Sequence, residues 1–344
     1  MMYTEIRIGF NCEGDVIDLR KVSAMKLIWA IISFANIFAC VSCCGVASVH
    51  PIDMPEGVIK EYDAGLQLAE DLCKFVGVSE MNMATEGKTK QLKNSVVYWD
   101  CDDVLQKNTD PSLIGSKIWS LLKDEGADAC KTTIWKSPKA IVEESILELT
   151  QKLKKCDIPQ FVVTQCTSDI QTQLMRERIL ETLGYSFEDN VLENDETCRK
   201  KCNQIKINCQ LSLKPGQTTI TLPRFSKGIA YAGSAPKEIM FEWLFDLIQS
   251  SGKFCDIADV TFVFTDDKLA NLKEFCTVCQ KRGIKKYRAY HYTNVLKQAK
   301  SEDPTDKTIT NLQKRSIRNG KFLSYKNACF LAKIFPSTKL DLSL

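Results

Sequence analysis

Two aspartates one residue apart, Asp100 and Asp102, close the apolar run Ser95-Val96-Val97-Tyr98-Trp99, and Asp103 follows at once. Side chains alternate along a strand, so Asp100 and Asp102 leave on one side and Cys101 on the other. Carboxylates held that close repel unless a cation lies between them. A divalent ion with a preference for oxygen ligands, Mg²⁺ first, is the chemistry this spacing invites. The same three acids would also serve as an Asp-rich turn. A second acid pair, Asp266-Asp267, ends another apolar run, Val260-Thr261-Phe262-Val263-Phe264-Thr265. Between the two, Thr164 ends Gln160-Phe161-Val162-Val163, and Lys237 follows Pro236 at the head of a helical stretch. Taken singly, Asp266-Asp267 could cap a helix and Lys237 could be a solvated helix start.

Polar groups at the ends of buried strands need a scaffold that brings those ends together. Acids at the C-terminal edge of such strands sit where open α/β sheets place their ligands. Apolar spacing predicts helices over about 56–78, 139–156, 168–183 (closed by Gly184), 237–250 and up to Gly283. Buried strands are expected at 95–99, 160–164, 259–265 and 287–292. Alternating helices and apolar strands give an α/β fold, a mostly parallel sheet in three layers. Residues 206–213 alternate with period two, Lys214-Pro215-Gly216-Gln217 is turn chemistry, and 218–222 returns, so an antiparallel insertion is expected there. Residues 106–138 are a mixed segment with one helix near 115–123, and 301–344 read as peripheral helices or a tail.

The N-terminal part has a different character. Residues 27–47 are uncharged and mostly apolar, Lys26 precedes them, and Val46-Ala47-Ser48 offers small residues for cleavage. That is the layout of a signal peptide at 25–48, or of a retained anchor in contact with a membrane, with 1–24 as an upstream extension. Export, to the periplasm or beyond, is the expected destination. A net charge of +3 over 344 residues does not suggest a nucleic-acid partner. Among sixteen cysteines, Cys198, Cys202 and Cys209 cluster in a polar stretch, where disulfides become plausible if the chain is exported. Cys276 and Cys279 lie inside a helical pattern, where cysteine packs as a small hydrophobe.

An Asp-x-Asp, a Thr after a strand, a Lys and a paired acid, in that order between about Leu92 and Thr293, resemble the four motifs of the haloacid dehalogenase superfamily. Trp99-Asp100-Cys101-Asp102-Asp103-Val104-Leu105, Ile229-Ala230-Tyr231-Ala232-Gly233 and Tyr290-His291-Tyr292-Thr293 are similar to a bacterial, uncharacterised branch of that superfamily whose members often begin with a signal peptide. The resemblance implies a three-layer Rossmann-like core over 57–300 with small cap insertions at about 106–138 and 190–224. It implies a phosphatase that works through an aspartyl-phosphate. Asp100 would be the nucleophile and Asp102 the general acid and base. Thr164 and Lys237 would bind the phosphate. Mg²⁺ would be held by Asp100, Asp102 (through its main-chain carbonyl), Asp266 and Asp267. The substrate would be a small or macromolecular phosphoester. A secreted or anchored interaction protein of the same fold, without turnover, is the competing expectation.

Overall fold

The computed structural model describes residues 58–78, 94–114, 137–165, 170–188, 223–233, 235–252, 254, 256–301, 307–319, 321 and 323–334. The chain divides into residues 1–53 and 54–344, and every described residue belongs to the second unit. The expected leader at 27–47, the helix at 115–123, the antiparallel insertion within 190–222 and Cys198, Cys202 and Cys209 lie outside the described residues.

Seven strands form one sheet: β1 (Ile59–Tyr62), β2 (Ser95–Trp99), β5 (Gln160–Thr164), β6 (Arg224–Ser226), β7 (Ile229–Tyr231), β8 (Thr261–Asp266) and β9 (Lys286–Tyr292). Their order is β1-β9-β8-β2-β5-β7-β6, and every pair is parallel except the β6–β7 hairpin. A separate antiparallel pair, β3 (Gln106–Asn108) and β4 (Lys139–Ile141), rises directly from the loop after β2. Helices α1 (Gly65–Val76), α2 (Glu144–Lys155) and α3 (Ile170–Thr182) pack on one face, and α4 (Lys237–Ser250) and α5 (Leu269–Lys281) on the other. Short helices α6 (Asn294–Ser301), α7 (Lys307–Arg318) and α8 (Tyr325–Ile334) end the described chain. The expected α/β class with a mostly parallel three-layer sheet is the fold observed.

The central strands are buried on both faces, which is why they read as unbroken apolar runs. Val97, Trp99 and Cys101 enter the core beneath α1 and α2, while Val96 and Tyr98 enter the core beneath α4 and α5. The second core is an aromatic layer. Tyr98 packs against Phe161, Phe241, Phe245, Phe262 and Phe275, and Phe241 meets Phe264 edge-on at 4.9 Å between centroids.

Two expected helices are each a strand followed by a helix. Within 56–78, residues 59–62 pair with β9 (Ile59↔Ala289 to Tyr62↔Tyr292), and the helix begins only at Gly65. β1 is a half-exposed edge strand, so its alternation is weak and Tyr62 falls in register with the helical spacing that follows. Within 139–156, residues 139–141 form β4, and Glu143, extended at φ −147° and ψ 145°, precedes α2. Three residues are too few to display a period. The same shortness hid β7, whose Ile229-Ala230-Tyr231 lies against the end of β5.

Candidate active site

Parallel strands put their C-terminal ends on one edge, and the register sets the height of each group there. Trp99 pairs with Thr265, so Asp100 and Asp266 stand level, and the Asp100 N–H donates to the Thr265 carbonyl at 2.8 Å. Trp99 also pairs with Val162, which carries Thr164 two residues further, level with Cys101. From β2 the chain builds outward through β5 to β7, then returns through α4 to β8 on the other side of β2. The topological switch point of the sheet therefore lies between β2 and β8, at the two acid pairs.

Lys237 opens α4 directly after Pro236, a position where a cation opposes the helix dipole. It is only 3% exposed, and its Nζ donates to Asp100 Oδ1 and to Asp266 Oδ2, both at 2.6 Å. Beneath it the Phe264 ring centroid lies 5.4 Å from Nζ. Burial disfavours the ammonium, yet Asp100 and Asp266 outweigh it and hold the lysine well above its usual range. Burial and the neighbouring Asp266 push the Asp100 carboxyl up, with Lys237 opposing them.

Asp266 is held in place by several protein donors. Besides Lys237 it accepts from the Lys268 N–H at 2.7 Å and from Asn271 Nδ2 at 3.1 and 2.9 Å on its two oxygens. Asp267 differs: it is buried, and its Oδ1 has no hydrogen-bond partner. Burial, together with Asp100 and Asp266, raises its carboxyl far above the usual carboxylate range. Ligand oxygens of Asp100, Asp266 and Asp267 all fall within 4.8 Å of one another. Three hard oxygens around an unsatisfied buried carboxylate fit a small divalent cation such as Mg²⁺. The Asp102 carboxylate is not among them.

Asp102 faces another partner. Its Oδ2 lies 2.9 Å from Arg176 Nη2, and Gln106 Nε2 donates to its Oδ1 at 3.0 Å. Its side chain is 45% exposed, so it looks onto the open edge of the sheet. Burial opposes ionisation, but Arg176 and the Gln106 amide hold its carboxyl below the usual value. Arg176 also donates from Nη1 to Thr164 Oγ1 at 2.6 Å. One guanidinium thus joins two of the expected site residues. Asp103, expected only as part of the turn, adopts the left-handed region at φ 63° and donates its N–H to the Gln106 carbonyl at 2.7 Å. Burial and Asp102 raise its carboxyl to about 7. Cys101 is fully buried on the far face, away from the acids.

The structure brings Asp100, Lys237, Asp266 and Asp267 into one cluster, and Asp102 and Thr164 into another, joined through Arg176. Sequence reasoning missed Arg176, Gln106, Asn271, Lys268 and Lys139. Lys139 sits on β4, where burial lowers its ammonium to about 8 in the field of Asp102 and Arg176. Lys268 and Asn271 carried a signal, since each follows the second acid pair within a helical turn. Arg176 carried none, because it sits twelve residues beyond Thr164 on a helix whose apolar residues do not mark the face it buries. Cys276 and Cys279 are wholly buried, and burial pushes both thiols up, as expected of packing residues. No helix among the described residues is long and apolar enough to cross a membrane. No family model, no curated protein and no solved structure matches this chain.

Proposed function

We propose that this chain is a Mg²⁺-dependent phosphohydrolase that forms an aspartyl-phosphate on Asp100, as its resemblance to the haloacid dehalogenase superfamily implies. One observation carries the reading. Asp100 lies at the switch point, clamped by buried Lys237 and flanked by Asp267, while Asp102 stands apart, half-exposed, beside Thr164. Two carboxylates one residue apart have been placed in opposite environments, which is how one site separates a nucleophile from a proton carrier.

Lys237 keeps Asp100 ionised at a depth that would otherwise favour the neutral acid, and so preserves its nucleophilic oxygen. An Asp100 oxygen attacks phosphorus as the bond to the leaving oxygen breaks. Thr164 donates its hydroxyl to a phosphoryl oxygen, and Lys237 balances the charge that develops. Asp102 rests as a carboxylate under Arg176 and Gln106. A phosphate dianion arriving beside it raises its proton affinity, so Asp102 takes up a proton from solvent at its exposed edge and then delivers that proton to the leaving group. As a carboxylate once more, it takes a proton from the water that cleaves the acyl phosphate. Asp100, Asp267 and Asp266, with the Asp102 main-chain carbonyl, would hold Mg²⁺, whose role is to neutralise phosphoryl charge.

A screen of phosphoesters with the purified full-length chain, with and without Mg²⁺, tests the reading. Turnover should require Mg²⁺ and fall by about a thousandfold or more in Asp100→Asn. Metal-independent turnover, or turnover indifferent to Asp100→Asn, would refute it. Absence of turnover on every phosphoester, with Mg²⁺ still bound, would favour the interaction protein. Export rests on residues 27–47, and fractionation of expressing cells would test it.

A further inference from the structure

We propose that Arg176 is a positioning residue of the phosphate site: it fixes Thr164 as a hydrogen-bond donor to the phosphoryl group and pins Asp102 beside it. The inference rests on the phosphohydrolase reading and assigns a role to a residue outside the four motifs.

The face that α3 buries is Thr172, Gln173, Arg176, Glu177 and Leu180, almost entirely polar. A guanidinium that is 2% exposed is costly to keep unless its pairing is good. Arg176 meets two site residues: it donates a hydrogen bond to Thr164 Oγ1 at 2.6 Å and forms an ion pair with Asp102 Oδ2 at 2.9 Å. Those partners come from different strand ends, so the arginine ties the loop after β2 to the tip of β5.

The direction of the Thr164 bond matters more than its length. A guanidinium has donors only, so a hydroxyl facing it must accept. The single O–H of Thr164 is then turned away from Arg176 and is available only to an acceptor. A phosphoryl oxygen is such an acceptor. Without the guanidinium, the hydroxyl could rotate and accept as readily as donate. The planar fork also spans both partners in one geometry, which the point charge of a lysine does not reproduce. Gln106 completes the hold on Asp102 from the other oxygen at 3.0 Å.

A double-mutant cycle on inorganic phosphate binding tests this. Full-length wild type, Thr164→Val, Arg176→Met, the double variant and Arg176→Lys are titrated calorimetrically with phosphate in the presence of Mg²⁺. Thr164→Val and Arg176→Met should each weaken binding by about tenfold or more, the scale of one hydrogen bond to a charged group. The double variant should bind no more weakly than Thr164→Val alone, because Arg176 acts through that hydroxyl. Arg176→Lys should recover part of the loss. Losses that multiply in the double variant would overturn the inference, as would Arg176→Met binding phosphate like wild type. If Arg176→Met does not fold, as read by far-ultraviolet circular dichroism, Arg176→Lys takes its place in the cycle. Wild type that binds no phosphate would remove the phosphohydrolase reading and this inference together, whereas a normal wild type with an additive cycle removes this inference alone.

Discussion

Replacing Lys237 by Met tests the electrostatic core of the site without any substrate. Lys237 is the shared counter-ion of Asp100, 4% exposed, and Asp266, fully buried, at 2.6 Å from each. Removing one partner of a buried pair costs roughly 3–5 kcal/mol, because an uncompensated charge is left behind. In a domain of this size 1 kcal/mol moves the midpoint by about 2–4 °C, so metal-free Lys237→Met should melt roughly 6–20 °C below wild type. The stranded carboxylates then seek another cation. The raised carboxyls of Asp100 and Asp267 rise further, and a group whose folded pKa lies above its unfolded value stabilises at low pH and loses that stability as pH climbs. The deficit should therefore shrink on acidification and shrink again on adding Mg²⁺. Lys237 itself, held above its unfolded value, keeps its contribution across neutral pH and yields no slope there. Thermal unfolding followed by circular dichroism, in chelator and in Mg²⁺, over a pH series, reads all three effects. A variant that melts with wild type in chelator, or whose deficit ignores both pH and Mg²⁺, would refute the reasoning.

Three further outcomes are expected. Wild type without metal should lose stability as pH rises from the ordinary carboxylate range to about 9, as Asp103 and then Asp267 give up their protons, and Mg²⁺ should flatten the Asp267 part of that slope because it replaces the proton there; a rising slope would contradict it. Gly65→Ala places a methyl group against Glu143 Oε2 and Ser145 Oγ, and Glu143 also accepts from Tyr292 OH at 2.6 Å and Asn294 Nδ2 at 2.8 Å. Pushing that carboxylate aside should cost about 1–3 kcal/mol in denaturant unfolding, and a neutral result would show that the junction yields freely. Tyr98→Phe should leave stability unchanged or raise it by about 1 kcal/mol, since the Tyr98 hydroxyl is buried without a hydrogen-bond partner while its ring fills the aromatic layer; a loss above that size would reveal a partner for the hydroxyl.

Strand positions with long apolar runs were legible because a central parallel strand cannot hide its composition: β2, β5 and β8 stand within two residues of their expected bounds. The acids at their ends were legible for the same reason, since polarity arriving abruptly after such a run has few structural uses. Short or edge strands were not, because β1, β4 and β7 offer three or four residues each, too few repeats of a two-residue period to stand out. The Lys237 contacts followed only in outline, from its place ahead of α4. The polar stripe of α3 defeated sequence reasoning altogether. A helix that buries Thr172, Gln173, Arg176 and Glu177 reads as a surface helix, and only the fold reveals what those groups meet.

That stripe also bears on the order in which the molecule assembles. Beyond Arg176, Glu177 meets Arg224 at 3.4 Å, and Tyr231 OH donates to the Gln173 carbonyl at 3.1 Å, so α3 is fastened to the β6–β7 hairpin as well as to β2 and β5. An apolar stripe gains from collapsing onto any greasy surface, at any stage. A polar stripe that carries Arg176 and Glu177 gains little until their partners stand in place, and loses by arriving early. The strands and the apolar helices can therefore gather first, with α3 settling after the hairpin has formed. Pulsed hydrogen exchange during refolding would then show the amides of α3 protected after those of β2, β8 and α4. The step that closes the fold is also the step that lays Thr164 against Arg176.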